Sequence, residues 1–118
     1  MRLPSTLRIK ASRDFARLKR EGAGHQGRYL VLSVLHDAEV APFRFGLVTT
    51  RRLGPAVVRN RVRRLLREVV RDQQSRIKPG VMMVIIARWR APEASLNELK
   101  KDWLKTAARA GILNPEST

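Results

Sequence analysis

The spacing of apolar and polar positions along the chain predicts six elements. Ser12 can cap a short helix from Arg13 to about Glu21, with Asp14 favourable in its first turn, and Gly22 and Gly24 end it. The run Tyr29-Leu30-Val31-Leu32-Ser33-Val34-Leu35 predicts a strand covered on much of both faces. Asp37–Pro42 is a turn region. Phe43-Arg44-Phe45-Gly46-Leu47-Val48-Thr49 then alternates as a second strand, predicted to form a hairpin with the first. Gly54-Pro55 opens a long helix from Pro55 to about Ile77, with proline suited to the first helical position, and Lys78-Pro79-Gly80 closes it. On that helix Val58, Val62, Leu65, Leu66, Val69 and Val70 form one apolar stripe. Val81–Ala87 is a buried strand by length and β-branched content. Ser95-Leu96-Asn97-Glu98 is a capping box, so a last helix starts there, with Leu96, Leu99, Trp103 and Ala107 as its core face and Gly111 as its stop. The order α-β-β-α-β-α gives an α+β chain: a small α/β sandwich with helices packed on a mixed sheet.

No internal repeat, low-complexity tract or long linker divides the chain, so residues 1–118 are read as one domain, with 1–10 a basic extended arm and 114–118 a loose tail. A chain of 118 residues should bury roughly two-thirds of its unfolded surface, enough for one core. The longest apolar run, Val81–Ala87, is far below the ~20 residues a membrane span needs, and no apolar stretch follows Met1-Arg2-Leu3-Pro4. No membrane association and no secretory signal are expected. Cysteine is absent, which removes disulfides, thiol catalysis and Cys-based zinc sites and fits a cytoplasmic location.

Charge changes the picture most. Lys and Arg number 25 against 10 Asp and Glu, a formal net charge of +15. Such a balance calls for a polyanionic partner, and 19 of the 25 cations are Arg, whose planar guanidinium grips phosphate bidentately and stacks on bases. Arg51 to Arg76 holds nine Arg and two acids, 9 − 2 = +7, in one loop and one helix. At ~100° per residue, Asn60, Arg63, Arg64, Arg67 and Arg71 fall opposite the apolar stripe, and Arg59 and Arg61 flank it. Like charges at i,i+4 (Arg59/Arg63, Arg63/Arg67, Arg67/Arg71) destabilise an isolated helix by a few tenths of a kcal/mol each, a cost that polyphosphate binding would offset.

The stretch Arg51-Arg52-Leu53-Gly54-Pro55-Ala56-Val57-Val58-Arg59-Asn60-Arg61-Val62-Arg63-Arg64-Leu65-Leu66-Arg67-Glu68 resembles the signature of the bacterial ribonuclease P protein subunit: a basic pair, a glycine, Ala-Val, then Arg-Asn-Arg leading into a basic helix. Arg8-Ile9-Lys10 with Asp14-Phe15 resembles that family's N-terminal pattern, and Ile85-Ile86-Ala87-Arg88 its last strand, so the likeness runs from about Leu7 to Gly111. The resemblance implies the family's sandwich with a left-handed β-α-β crossover. It implies binding to a catalytic RNA and help in removing the 5′ leader of precursor tRNA. Arg59, Asn60, Arg61, Arg63, Arg64 and Arg67 would face the RNA subunit, Arg51 and Arg52 would be the basic pair, and Arg88 the basic strand end. Phe15 and Lys19 would line the leader cleft. Lys19 and Ser33 stand where family members often carry aromatics, which shifts that cleft from stacking toward charge.

The other residues weigh as follows. His25 and His36 lie in different segments, so no catalytic or metal role is expected of the protein, and Mg²⁺ is expected only in the RNA-containing holoenzyme. No small-molecule substrate is implied. Phe15 is either core or stacking platform. Trp103 is core. Trp89, between Arg88 and Arg90, reads either as an aromatic surface near RNA or as a cap on the core, and strand alternation puts it on the face of Val81, Met83, Ile85 and Ala87. Composition alone leaves open a structural RNA-binding protein such as a small ribosomal protein.

Overall fold

The computed structural model describes residues 3–9 and 12–114. Its elements are α1 (Ser12–Glu21), β1 (Ala23–Gln26), β2 (Leu30–His36), β3 (Phe43–Val48), α2 (Ala56–Gln73), β4 (Val81–Ala87) and α3 (Leu96–Ala110). The four strands form one mixed sheet in the order β1-β2-β4-β3.

The hairpin expected between β2 and β3 does not form. β4 lies between them, antiparallel to β2 (Val34 opposite Met83) and parallel to β3 (Phe45 opposite Met83). The reason lies in β4 itself. It is apolar at every position and buried on both faces, and such a strand is stable only at the centre of a sheet covered on both sides. The hairpin that does form joins β1 to β2, where the Gly27 N–H donates to the Leu30 carbonyl at 2.7 Å. β1 (Ala-Gly-His-Gln) carries no hydrophobic period and is mostly exposed, so it owes its strand conformation to edge pairing alone.

Two apolar clusters sandwich the sheet. On one face α2 and α3 bring Val62, Leu66, Val69, Leu99, Trp103 and Ala107 against Leu32, Phe45, Val81, Met83 and Ile85. On the other, Leu18 of α1 and Ile9 meet Met82 and Val84. Trp103, Leu66 and Leu99 have no exposed surface, and full burial of one such side chain contributes roughly 1.5–3 kcal/mol. Val58 and Leu65 lie half-buried at the edges of the α2 stripe. Leu96, expected in the core, is instead exposed, because the capping box turns the first helical residue outward.

The ends of several elements also differ from expectation. The basic arm is not simply extended: Ser5–Leu7 makes a 3₁₀ turn, Leu7 and Ile9 are buried, and the Ile9 N–H donates to the Phe45 carbonyl at 2.9 Å. α2 stops at Gln73 and gives way to a 3₁₀ turn, and Ile77 bridges to Leu113 rather than continuing the helix. Of the expected tail, Asn114 is held by its N–H on the Arg76 carbonyl at 2.7 Å, and 115–118 lie outside the described residues. The capping box on α3 is present in both directions, and Gly111 closes the helix at φ 72°.

Candidate RNA-binding surfaces

The first surface is built on α2. Gly54, at φ 126°, lets the chain turn from the 3₁₀ turn Arg51–Leu53 into the helix, and buried Leu53 pins that turn. The stripe that buries Val62, Leu66 and Val69 forces the intervening arginines outward. Asn60, Arg61, Arg64 and Arg67 are exposed, while Arg59, Arg63 and Arg71 are half-buried. Val57, Asn60, Arg61, Arg64 and Arg67, with Val58, line an open groove of about 540 Å³. The Asn60 carboxamide oxygen accepts from Arg63 at 3.2 Å, and Arg61 donates to the Pro92 carbonyl at 3.4 Å.

The cations of α2 are not equivalent. Arg71 grips Glu68 through Nε and Nη2, and this contact holds the Glu68 carboxyl below its ordinary range. Asp72 is held low by Lys100 at 2.7 Å, with Gln73 also donating. Both acids of the helix are thus engaged near its C-terminal end. The N-terminal half, from Arg59 to Arg67, holds no carboxylate, and its charge adds to the positive end of the helix dipole.

The second surface lies on the opposite side of the sheet. α1 stands over β2, β4 and β3 and leaves a cleft of about 500 Å³ whose lining includes Phe15, Lys19, Val31, Ser33, Val48 and Ile86. Phe15 can approach the sheet closely because it lies over Gly46, where a Cβ would come within 2.9 Å of its ring. Lys19 is exposed. α1 is anchored by buried Leu18 and by Arg17, which donates to Asp37 at 2.8 Å. That bond lowers the Asp37 carboxyl below its ordinary value, helped by the Glu39 backbone N–H.

Comparison with known proteins decides what these two surfaces belong to. The family model described as Ribonuclease P matches residues 3–111. The "Ribonuclease P protein component" of Geobacillus sp. (strain WCH70) is 37% identical over 106 residues, covering 90% of this chain and 91% of the relative. That of Syntrophomonas wolfei is 32% identical over 110 residues, covering 93% and 92%. The chain belongs to the ribonuclease P protein family. Among solved structures, the Staphylococcus aureus RNase P protein superposes with a TM-score of 0.84 at 28% identity, covering 92% of this chain and 98% of that one. The Thermotoga maritima RNase P protein gives 0.77 at 27%, covering 86% and 96%. As a ribonuclease P protein, the chain is a subunit of a ribonucleoprotein endoribonuclease of tRNA 5′ maturation.

Within this ribonuclease P fold the residues singled out by sequence fall into three places. Asn60, Arg61, Arg64 and Arg67 meet at the α2 groove, whereas Arg59 and Arg63, half-buried on the same helix, do not line it. Phe15 and Lys19 share the cleft. Arg51 and Arg52 are exposed on the 3₁₀ turn, and Arg52 reaches a depression that Arg88 also lines. Arg88 is not free, however: its Nη1 donates to the Gly27 carbonyl at 2.8 Å and its N–H to the Tyr29 carbonyl at 2.8 Å, so it also fastens the β1–β2 turn. Phe15 packs beside Met82 and Val84 and also lines the cleft. His25 lies in β1 and His36 at the far end of β2, and among the described residues no three His, Asp or Glu side chains converge.

Sequence reasoning missed Val57, 74% exposed beside the arginines, although its position off the apolar stripe was legible. It also missed Val31, Val48 and Ile86 as the cleft floor, which no local pattern announces because they come from three strands. The placement of Trp89 needs correction. β4 ends at Ala87, so strand alternation no longer applies, and a turn at Trp89–Arg90 releases the indole to solvent at 60% exposure.

Proposed function

We propose that this ribonuclease P protein holds the catalytic RNA against the N-terminal half of α2 and the single-stranded 5′ leader of precursor tRNA in the cleft between α1 and the sheet. The observation that carries this reading is the division of labour between two faces. A guanidinium face whose neighbouring carboxylate, Glu68, is already engaged by Arg71 suits the closely spaced phosphates of structured RNA. A cleft with an apolar floor, one aromatic ring and a lysine suits a strand whose bases are unpaired.

In this reading the protein binds and positions, and the RNA cleaves. The divalent ion is assigned in this reading to the RNA-containing holoenzyme, whose phosphates are natural Mg²⁺ ligands, and no step is routed through the protein. A cytoplasmic location accompanies this reading, and among the described residues no helix is long and apolar enough to cross a membrane.

The test is reconstitution. Adding the protein to ribonuclease P RNA from the same source should stimulate 5′-leader removal from precursor tRNA at low Mg²⁺, and the protein without RNA should leave the precursor intact. An RNA bound tightly but cleaved no faster would point instead to a purely structural RNA-binding role.

A further inference from the structure

We infer that Trp89 is a stacking platform for a nucleobase of single-stranded RNA leaving the cleft past Ile86, with Arg52 and Arg90 beside it for the adjoining phosphates. The inference rests on the reading of the cleft as a single-stranded RNA site and extends it by one binding position.

Three observations converge on this residue. Trp89 is 60% exposed, whereas the other tryptophan, Trp103, is fully buried, so the indole at 89 plays no part in the core. Exposing a large apolar ring to water is unfavourable, and covering it with a stacked base would remove that cost. The surroundings are cationic: the Arg90 guanidinium lies over one face of the ring, 5.5 Å from its centroid, leaving a base the opposite face, and Arg52 and Arg88 line with Trp89 a depression of about 280 Å³, together with Thr50 and Ile86. Among the described residues no carboxylate lines it. That mixture of an aromatic face and guanidinium groups is what an unpaired nucleotide recognises, the base by stacking and the phosphate by charge.

The third observation is continuity. Ile86 lines both this depression and the α1 cleft. A strand lying along the cleft floor therefore reaches the end of β4 at Ile86 and meets Trp89 two residues beyond Ala87, where the chain turns. The separation of roles is also physical. Arg88 is spent on the Gly27 carbonyl, whereas Arg52 and Arg90 meet no carboxylate or backbone acceptor among the described residues.

The experiment uses the full-length protein and a short single-stranded oligoribonucleotide, with binding followed by anisotropy and by tryptophan emission. Trp103 is inaccessible, so iodide should quench Trp89 selectively, and saturation with the oligonucleotide should protect it. Trp89→Ala should weaken binding by roughly five- to 150-fold, the span of one base–aromatic stack, and Trp89→Phe should recover part of the loss. Melting temperatures should be unchanged in both variants. If the oligonucleotide binds the unmodified protein and Phe15→Ala weakens it, but Trp89→Ala does not, the cleft reading stands and this inference fails. An oligonucleotide that does not bind the unmodified protein overturns both. Protection of Trp89 that rises with protein concentration in the absence of RNA would make the indole a self-association contact and overturn this inference alone.

Discussion

The ring of Phe15 rests on Gly46: a Cβ built at residue 46 would lie 2.9 Å from both Cε1 and Cζ of the ring. Gly46 is buried and has no positive φ, so glycine is required there for space rather than for backbone conformation. A residue on β3 thereby sets how deeply an aromatic on α1 sits in the cleft.

Gly46→Ala should accordingly displace the Phe15 ring toward the cleft and weaken binding of precursor tRNA while sparing tRNA without a leader. Phe15→Ala should show the same discrimination, at up to the ~1–3 kcal/mol of a lost stack, with some loss of thermal stability because the ring also packs on Met82 and Val84. Affinities for the two RNAs, measured beside the melting temperature, check this. Equal weakening of both RNAs would make Phe15 a core residue only.

On α2, Arg64→Ala should weaken RNA-subunit binding and flatten the dependence of log K on log[salt] by about one unit, with no effect on folding, because Arg64 is exposed and makes no ion pair among the described residues. Arg71→Ala should flatten it less, since Glu68 already neutralises that guanidinium. Equal slopes for the two variants would show that RNA binding breaks the Arg71–Glu68 pair.

Asp102 of α3 accepts from the backbone N–H groups of Arg28 and Tyr29, each at 2.8 Å, and so clamps the β1–β2 turn from a distant helix. Gly27 makes the approach possible, since a Cβ there would sit 2.6 Å from the carboxylate. Asp102→Ala should cost about 1–3 kcal/mol by leaving two donors without their acceptor. Gly27→Ala should also destabilise, by forcing the carboxylate away. Denaturant unfolding measures both, and an unchanged midpoint in Asp102→Ala would refute the clamp.

Acid should loosen α1. The Arg17 guanidinium holds the Asp37 carboxyl below its ordinary value of 3.8. Because the folded-state value is the depressed one, the stabilisation is complete above the ordinary value and disappears as pH falls through the lower folded value. Asp37→Asn should therefore remove a contribution present at neutral pH and leave the variant less sensitive to acid below pH ~4. Thermal unfolding against pH compares the two proteins, and parallel profiles would show that the pair contributes nothing.

The sequence by itself determined the elements whose signals are local. The stripe of Val62, Leu66 and Val69 requires a helix with one buried side, and the same 3.6-residue period throws Arg64 and Arg67 to the other side. Ser95 and Glu98 satisfy each other within four residues, so the start of α3 is written in adjacent positions. The concentration of arginine on α2, and the resemblance it carries, needed no tertiary information. Tertiary structure decided what each face meets. Periodicity marks a side as apolar but does not name its partner, so the insertion of β4 between β2 and β3, and the pairing that makes a strand of Ala23–Gln26, were invisible. The cleft floor draws on Val31, Val48 and Ile86 from three strands. The division of the arginines into those held by Glu68 or the Gly27 carbonyl and those left facing solvent depends on where acceptors arrive in space, and in the case of Arg88 the acceptor comes from 61 residues away. Trp89 shows the limit most directly: its alternation was read from a strand that ends two residues earlier, and only the turn after Ala87 puts the indole at the surface.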